Sequence, residues 1–180
     1  CPFLYSADGR FYMTYVGWDG VGYQTGLAES KDLLHWTRAG LILPRDPRDP
    51  IARYNMAMMS ILRADDTLQS NAPLQKVDGR YVGVWHAYPS AGYEEGPAVI
   101  GIAYSDDLKR WRRGDVILRP EDGAEWERGG LYKPYLLQHG DTYYLFYNAK
   151  NDAPGGWIEA SMRGRPGFTS VIRASPTAPN

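Results

Sequence analysis

Two adjacent carboxylates, Glu94 and Glu95, stand in the run Tyr93-Glu94-Glu95-Gly96-Pro97, beside a glycine and a proline that fix the loop carrying them. A close, partly buried pair of carboxylates raises the pKa of at least one member, which suits a general acid; the same pair on open loop surface would simply be solvated. Asp19 is the next acid, although Asp19-Gly20 is also a common turn dipeptide. Flat aromatic side chains (Trp18, Tyr23, Trp85, Tyr88, Tyr93, Tyr132) recur near these acids, together with Gln24, Asn55, His86, Asn148 and the cations Lys133 and Lys150. Aromatic faces stack on the apolar faces of sugar rings, while amides and carboxylates match their hydroxyls, so this chemistry points to a carbohydrate ligand.

To act together, these residues must be gathered from 180 positions, and repeats show how. Asp8-Gly9-Arg10-Phe11-Tyr12 returns as Asp78-Gly79-Arg80-Tyr81-Val82 and again as His139-Gly140-Asp141-Thr142-Tyr143, each a turn followed by an alternating aromatic strand. A second element, Thr25-Gly26-Leu27-Ala28-Glu29-Ser30-Lys31-Asp32-Leu33-Leu34-His35-Trp36, returns as Ile100 to Trp111. Each unit therefore reads as strand, tight turn, strand, loop, strand, Ser-x-Asp-Leu turn, then a tryptophan opening a fourth strand. The spacing predicts strands over 2–6, 11–17, 23–30 and 36–43 in the first unit.

Four antiparallel strands per repeat describe a β-propeller blade, with an open β-sandwich as the alternative. The expected organisation is all-β, with about three blades over 1–45, 52–120 and 130–160 and an irregular tail over 161–180, where no Ser-x-Asp-Leu-x-x-Trp element appears. Since closed propellers have four to eight blades, the chain is expected to be part of an incomplete five-bladed propeller, whose exposed blade edges would allow homo-oligomers. In a blade, the inner strand starts at the face onto which the loop between the second and third strands opens. That topology brings the residues named above to one face, while Asp32, Asp106, Asp107 and Asp122 fall in turns on the other.

Composition narrows the classes further. Lys plus Arg total 20 against 21 Asp plus Glu, a net charge of -1, and no basic stripe is present, which argues against a nucleic-acid partner. The apolar runs are far shorter than the roughly 20 residues needed to span a bilayer, so no membrane partner is expected. A single cysteine excludes a disulfide framework, and three scattered histidines without a His-x-x-x-His pair give no metal site. Neither a cofactor nor a calcium loop with spaced acids is expected. Any targeting segment would lie upstream of Cys1, so the compartment stays open.

The Gly26-to-Trp36 repeat, with Lys133-Pro134-Tyr135-Leu136-Leu137 leading into Tyr143-Tyr144-Leu145-Phe146-Tyr147-Asn148-Ala149, resembles the five-bladed propeller glycosidases, glycoside hydrolase families 43, 32 and 130, over residues 1–157. The resemblance implies three acids at a central channel, on the first, second and third inner strands. The first would fall at or before Cys1. The second falls near Asn55, an amide, leaving Asp49 as the nearest carboxylate; Asp49 lies in one of two Arg-Asp-Pro triplets, Arg45 to Pro47 and Arg48 to Pro50, of a type that stabilises the sugar in invertase-like enzymes. At the third, Tyr132-Lys133-Pro134 replaces Glu-Gly-Pro, so Glu95, in its own Glu-Gly-Pro, is chosen as the acid, with Glu94 as fallback. The implied function is a glycoside hydrolase acting through paired carboxylates. The alternatives are a non-catalytic carbohydrate-binding propeller and a phosphorylase, for whose phosphate Lys133, Lys150 and Arg53 would be placed.

Overall fold

The computed structural model describes residues 1–64, 72–140 and 142–151, together with the backbone of 170–174. Among them are three antiparallel sheets and no α-helix. The first is a four-stranded meander: β1 (Phe3–Ala7), β2 (Arg10–Trp18), β3 (Tyr23–Ser30) and β4 (Trp36–Leu43), paired in that order. The second runs β5 (Asn55–Ile61), β7 (Arg80–Tyr88), β8 (Val99–Ser105) and β9 (Arg112–Leu118), with the two-residue β6 (Lys76–Val77) added beside β7. The third contains β10 (Gly130–His139), β11 (Thr142–Lys150) and β12 (Ser170–Ala174). The strands expected in the first unit agree with β1 to β4 within a residue at each end. Of the tail, Ser170–Ala174 is not irregular but a strand, with the β-branched Val171 and Ile172, paired along the edge of β11; the rest of 161–180 lies outside the described residues.

Local chemistry explains the turns. Asp8 and Gly9 have φ of 49° and 71°, Asp78 and Gly79 of 49° and 76°, the paired positive values of the two-residue hairpin turn whose twist matches the strands it joins. The Ser-x-Asp-Leu element builds the opposite end of each sheet. Ser30 Oγ accepts the Leu33 N–H, Asp32 Oδ1 accepts from the amides of Leu34 and His35, and Trp36 Nε1 donates to the Leu33 carbonyl. Ser105, Asp107 and Trp111 repeat these bonds, and both leucines hold a positive φ, 66° at Leu33 and 64° at Leu108. A left-handed leucine costs about 1–2 kcal/mol, which this set of local bonds offsets.

Apolar alternation packs the sheets face to face. Phe3, Tyr5, Tyr12, Leu27 and Ile42 of the first sheet meet Met56, Met58, Trp85 and Trp111 of the second, whereas Val84 and Ile100 meet Leu131, Leu145 and Tyr147 of the third. Trp85, expected to touch a glycan, is instead fully buried, its Nε1 donating to the Ile102 carbonyl and its ring seated over Gly101. Burial of a side chain of that size contributes about 3 kcal/mol or more, a role that leaves no face for a ligand. Polar bonds then fix how the sheets meet. Thr25 Oγ1 donates to the Met56 carbonyl and accepts from the Met58 amide, and Ser60 Oγ accepts from Leu136 N. A third small cluster, Tyr23, Ala57, Tyr88 and Ala98 with Tyr132, draws on all three sheets. It lies where the inner strands β5 and β10 begin.

Candidate functional site

The turn between β2 and β3 must approach the start of β5 closely, and Gly22 permits it: a Cβ there would collide with the Tyr54 carbonyl oxygen. The next residue, Tyr23, donates its backbone N–H to Asn55 Oδ1 at 3.0 Å, while Asn55 Nδ2 donates to the Gly92 carbonyl at 3.0 Å. The fully buried Asn55 thus ties the first sheet to the loop carrying the two glutamates. On β10, the register shifts between Tyr132 and Tyr135, because Pro134 has no N–H to offer the ladder. The bulge gives Lys133 a φ of 51° and aims its backbone N–H at His86 Nδ1, 3.3 Å away.

These contacts enclose a cavity of about 290 Å³. The first sheet contributes Val16, Trp18 and Tyr23, the second Ala57 and His86 with Tyr93 and Glu94 from its loop, and the third Lys133; Cys1 closes one side. Trp18 and Tyr93 are 53 % and 70 % exposed, so they offer ring faces to whatever enters. Of the expected site residues, Trp18, Tyr23, His86, Tyr93, Glu94 and Lys133 are brought together around this space. Tyr88, Tyr132 and Lys150 stand behind it: Tyr88 is fully buried edge-on to His86, and Lys150 lies over the Tyr88 ring while donating to the Glu94 carbonyl at 2.9 Å. Asn148 lies opposite Tyr132 in the ladder between β10 and β11.

Three expected residues are engaged elsewhere. Glu95 is exposed and folds its side chain over Gly92, so Glu94 is the member of the pair that lines the cavity. Asp49 accepts the amides of Ile51 and Ala52 and forms an ion pair with Arg113, whose guanidinium lies over Trp85. Asp19 closes its own turn through the amides of Val21 and Gly22, and its second oxygen takes Gln24 Nε2 and Arg45 Nε, both at 2.8 Å. Arg45 was legible only as part of an Arg-Asp-Pro triplet. It is the residue two past β4, at the sheet end where the β2–β3 turn must also lie, and that placement is the signal for its pairing with Asp19.

The electrostatics sort donors from acceptors. The Gly22 and Val21 amides, aided by Arg45, hold the Asp19 carboxyl down at about 2, so it stays ionised and serves as an acceptor. Burial, reinforced by the Lys133 charge, pushes His86 down to about 3, so its imidazole is neutral at ordinary pH. Burial raises the hydroxyls of Tyr23, Tyr88 and Tyr132, with the Glu94 carboxylate adding to each; for the exposed Tyr93 the Glu94 charge is the leading cause. Glu94 is therefore the acidic residue that the surrounding tyrosines face. Its φ of 57° and the 51° of Lys133 place these two cavity residues in left-handed backbone, a strain held by the bonds that Lys150 donates to Glu94, Asn55 to Gly92 and the Lys133 amide to His86. Among the described residues no group of three or more His, Cys, Asp and Glu is arranged to hold a metal ion, and no helix is long and apolar enough to cross a membrane.

Antiparallel sheets of this kind, with a site at the face where inner strands begin, are consistent with part of a β-propeller, the fold of the glycoside hydrolases on which the chain superposes. The chain superposes on a glycoside hydrolase with a TM-score of 0.73 at 23 % identity, over 96 % of this chain and 51 % of that one. It matches a family 117 glycoside hydrolase of Zobellia galactanivorans at 0.62 and 14 % identity, over 81 % and 46 %, and the β-1,2-mannobiose phosphorylase of Listeria innocua at 0.51 and 17 %, over 83 % and 36 %. No protein-family model matches the sequence. In sequence the chain is homologous to a 1,2-β-oligomannan phosphorylase of Thermoanaerobacter sp. (strain X514), 31 % identical over 156 residues, 84 % of this chain and 42 % of that protein. The chain thus spans less than half the length of that curated relative.

Proposed function

We propose that the chain carries part of the active site of a glycoside-cleaving enzyme, with a sugar ring in the cavity between Trp18 and Tyr93 and Glu94 as the acid that protonates the departing glycosidic oxygen. The observation that carries this reading is the convergence, from three sheets, of one carboxylate, one ammonium and two exposed aromatic faces on a single space. Its three sheets are taken as three blades of a five-bladed propeller.

Between the two acceptors such enzymes use, phosphate is favoured over water by the homology to a phosphorylase and by the cation in the cavity. Hydrolysis needs two carboxylates flanking the bond, one to protonate and one to attack or to activate water. Glu94 lines the cavity and Asp49 is committed to Arg113, so a second carboxylate would have to come from outside the described residues. Phosphorolysis needs only the acid and a cation. A phosphate oxygen forms the new bond to the anomeric carbon, the glycosidic carbon–oxygen bond breaks, and the Glu94 proton passes to the leaving sugar oxygen, giving a sugar 1-phosphate and a shortened saccharide. Lys133 supplies the cation, and the homologous protein is a phosphorylase.

The test is turnover by the full-length protein of aryl glycosides of arabinose, xylose, mannose, fructose and galactose, and of β-1,2-mannobiose, each with and without phosphate. Phosphate-dependent release that Glu94→Gln abolishes is expected. Release without phosphate would make the protein a hydrolase, and sugar binding without turnover would make it a carbohydrate-binding propeller.

A further inference from the structure

Buried beneath the cavity, the Tyr23 hydroxyl and His86 Nε2 lie 3.1 Å apart, and both residues are nearly inaccessible, at 4 % and 2 % exposure. Which of the two donates is settled on the other side of the imidazole. The Lys133 backbone amide can only donate, and it points at Nδ1, so Nδ1 must offer a lone pair. In a neutral imidazole the proton then resides on Nε2, and the bond to Tyr23 runs from nitrogen to oxygen. A hydroxyl has one proton, and among the described residues Tyr23 Oη has no other hydrogen-bonding partner than His86. With its acceptor side taken, its proton is left for the cavity.

We propose that His86 is a positioning residue: held as the Nε2–H form by the β10 bulge, it turns the Tyr23 O–H into a fixed donor on the floor of the cavity that Lys133 also lines. This deepens, and for its kinetic arm rests on, the glycoside-cleaving reading. A hydroxyl fixed as a donor selects an oxygen that presents lone pairs, in a sugar hydroxyl or in a phosphate. The bulge at Lys133–Pro134 thereby acquires a purpose: one distortion delivers both the ammonium and the amide that fixes the tautomer.

The test uses the full-length protein with β-1,2-mannobiose and inorganic phosphate. Tyr23→Phe removes the donor and is expected to lower kcat/KM about 100-fold, the usual scale for one preorganised donor. His86→Leu, which frees the hydroxyl to rotate, is expected to lose about tenfold, and His86→Gln, whose amide N–H reaches near the Nε2 position, no more than about threefold. In a Tyr23→Phe background His86→Leu should cost nothing further. A rise in KM for phosphate assigns the bound oxygen to phosphate, and a rise in KM for mannobiose assigns it to the sugar. Losses that multiply in the double variant, or a His86→Gln protein that folds yet is as impaired as His86→Leu, would overturn the proposal. Imidazole ¹⁵N NMR of the unmodified protein tests the tautomer directly, requiring neither turnover nor a stable variant: the proton is expected on Nε2, and a proton on Nδ1 refutes the proposal. If no substrate turns over, the proposed function fails, while the tautomer and the same variant cycle, measured as mannobiose affinity, still decide this inference.

Discussion

Replacing Asn55 separates a structural amide from a lost catalytic acid. Its Oδ1 satisfies the Tyr23 N–H and its Nδ2 the Gly92 carbonyl, in a position with no solvent exposure. Asn55→Ala orphans both groups; each buried orphan costs about 1–3 kcal/mol, so a loss of about 3 kcal/mol is expected after partial relaxation. For a domain of this size that corresponds to a fall in Tm of about 6–12 °C, measurable by circular dichroism. Asn55→Asp is the sharper test. The carboxylate still accepts from Tyr23 but faces the Gly92 carbonyl with an oxygen that cannot donate, so burial and repulsion raise its folded pKa above the unfolded value. The stabilising protonated form is present below the unfolded pKa of about 4 and is lost as pH rises through the folded pKa, so this variant should gain stability relative to the unmodified protein as pH falls from about 7 to 4. Glycoside cleavage should fall, because Tyr23 and the Glu94 loop are both anchored here. An Asn55→Asp protein as stable as the parent at neutral pH, or more active than it, would refute this assignment and restore position 55 to the catalytic set.

Other expectations test the same architecture. Gly22→Ala should destabilise by about 2–3 kcal/mol in urea unfolding, because the new Cβ meets main chain of Tyr54 rather than a movable side chain. Lys150→Ala, which frees the Glu94 carbonyl without entering the cavity, should lower kcat about tenfold with little change in Tm, on the scale of small misplacements of a reacting group. His86, held near 3 against an unfolded value of about 6.5, contributes stability that is intact above pH 6.5 and lost as pH falls toward 3. His86→Gln should therefore flatten the acid side of the stability profile by up to about 1.4 kcal/mol per pH unit. Asp107→Ala should cost about 1 kcal/mol and Asp32→Ala less, since Trp111 is buried over its turn whereas Trp36 is only partly covered; equal effects would contradict that ranking.

The strand-and-turn plan was legible because its causes are local. Two-residue Asp-Gly turns, Ser-x-Asp-Leu caps and aromatic alternation act over a few residues, so three repeats announced three sheets and even the strand that Trp36 opens. The same topology rule carried Trp18, Tyr23, His86, Tyr93, Glu94 and Lys133 to one end of the sheets, where the structure gathers them. Residue type and neighbourhood did not reveal what each side chain does there. Glu94 and Glu95 are adjacent in sequence, and only the φ of 57° at Glu94 and the turn over Gly92 decide which of them faces the cavity. Asp49 looks free in the sequence and is claimed by Arg113 from 64 residues away, while Trp85 and Tyr88 look like sugar platforms and are enclosed by neighbouring sheets. The tautomer of His86 depends on a backbone amide 47 positions distant, aimed by a proline bulge. Hydrogen-bond direction and burial are properties of three-dimensional proximity, so sequence determined which groups were available and where along the strands they stand, while tertiary packing alone decided which of them meet.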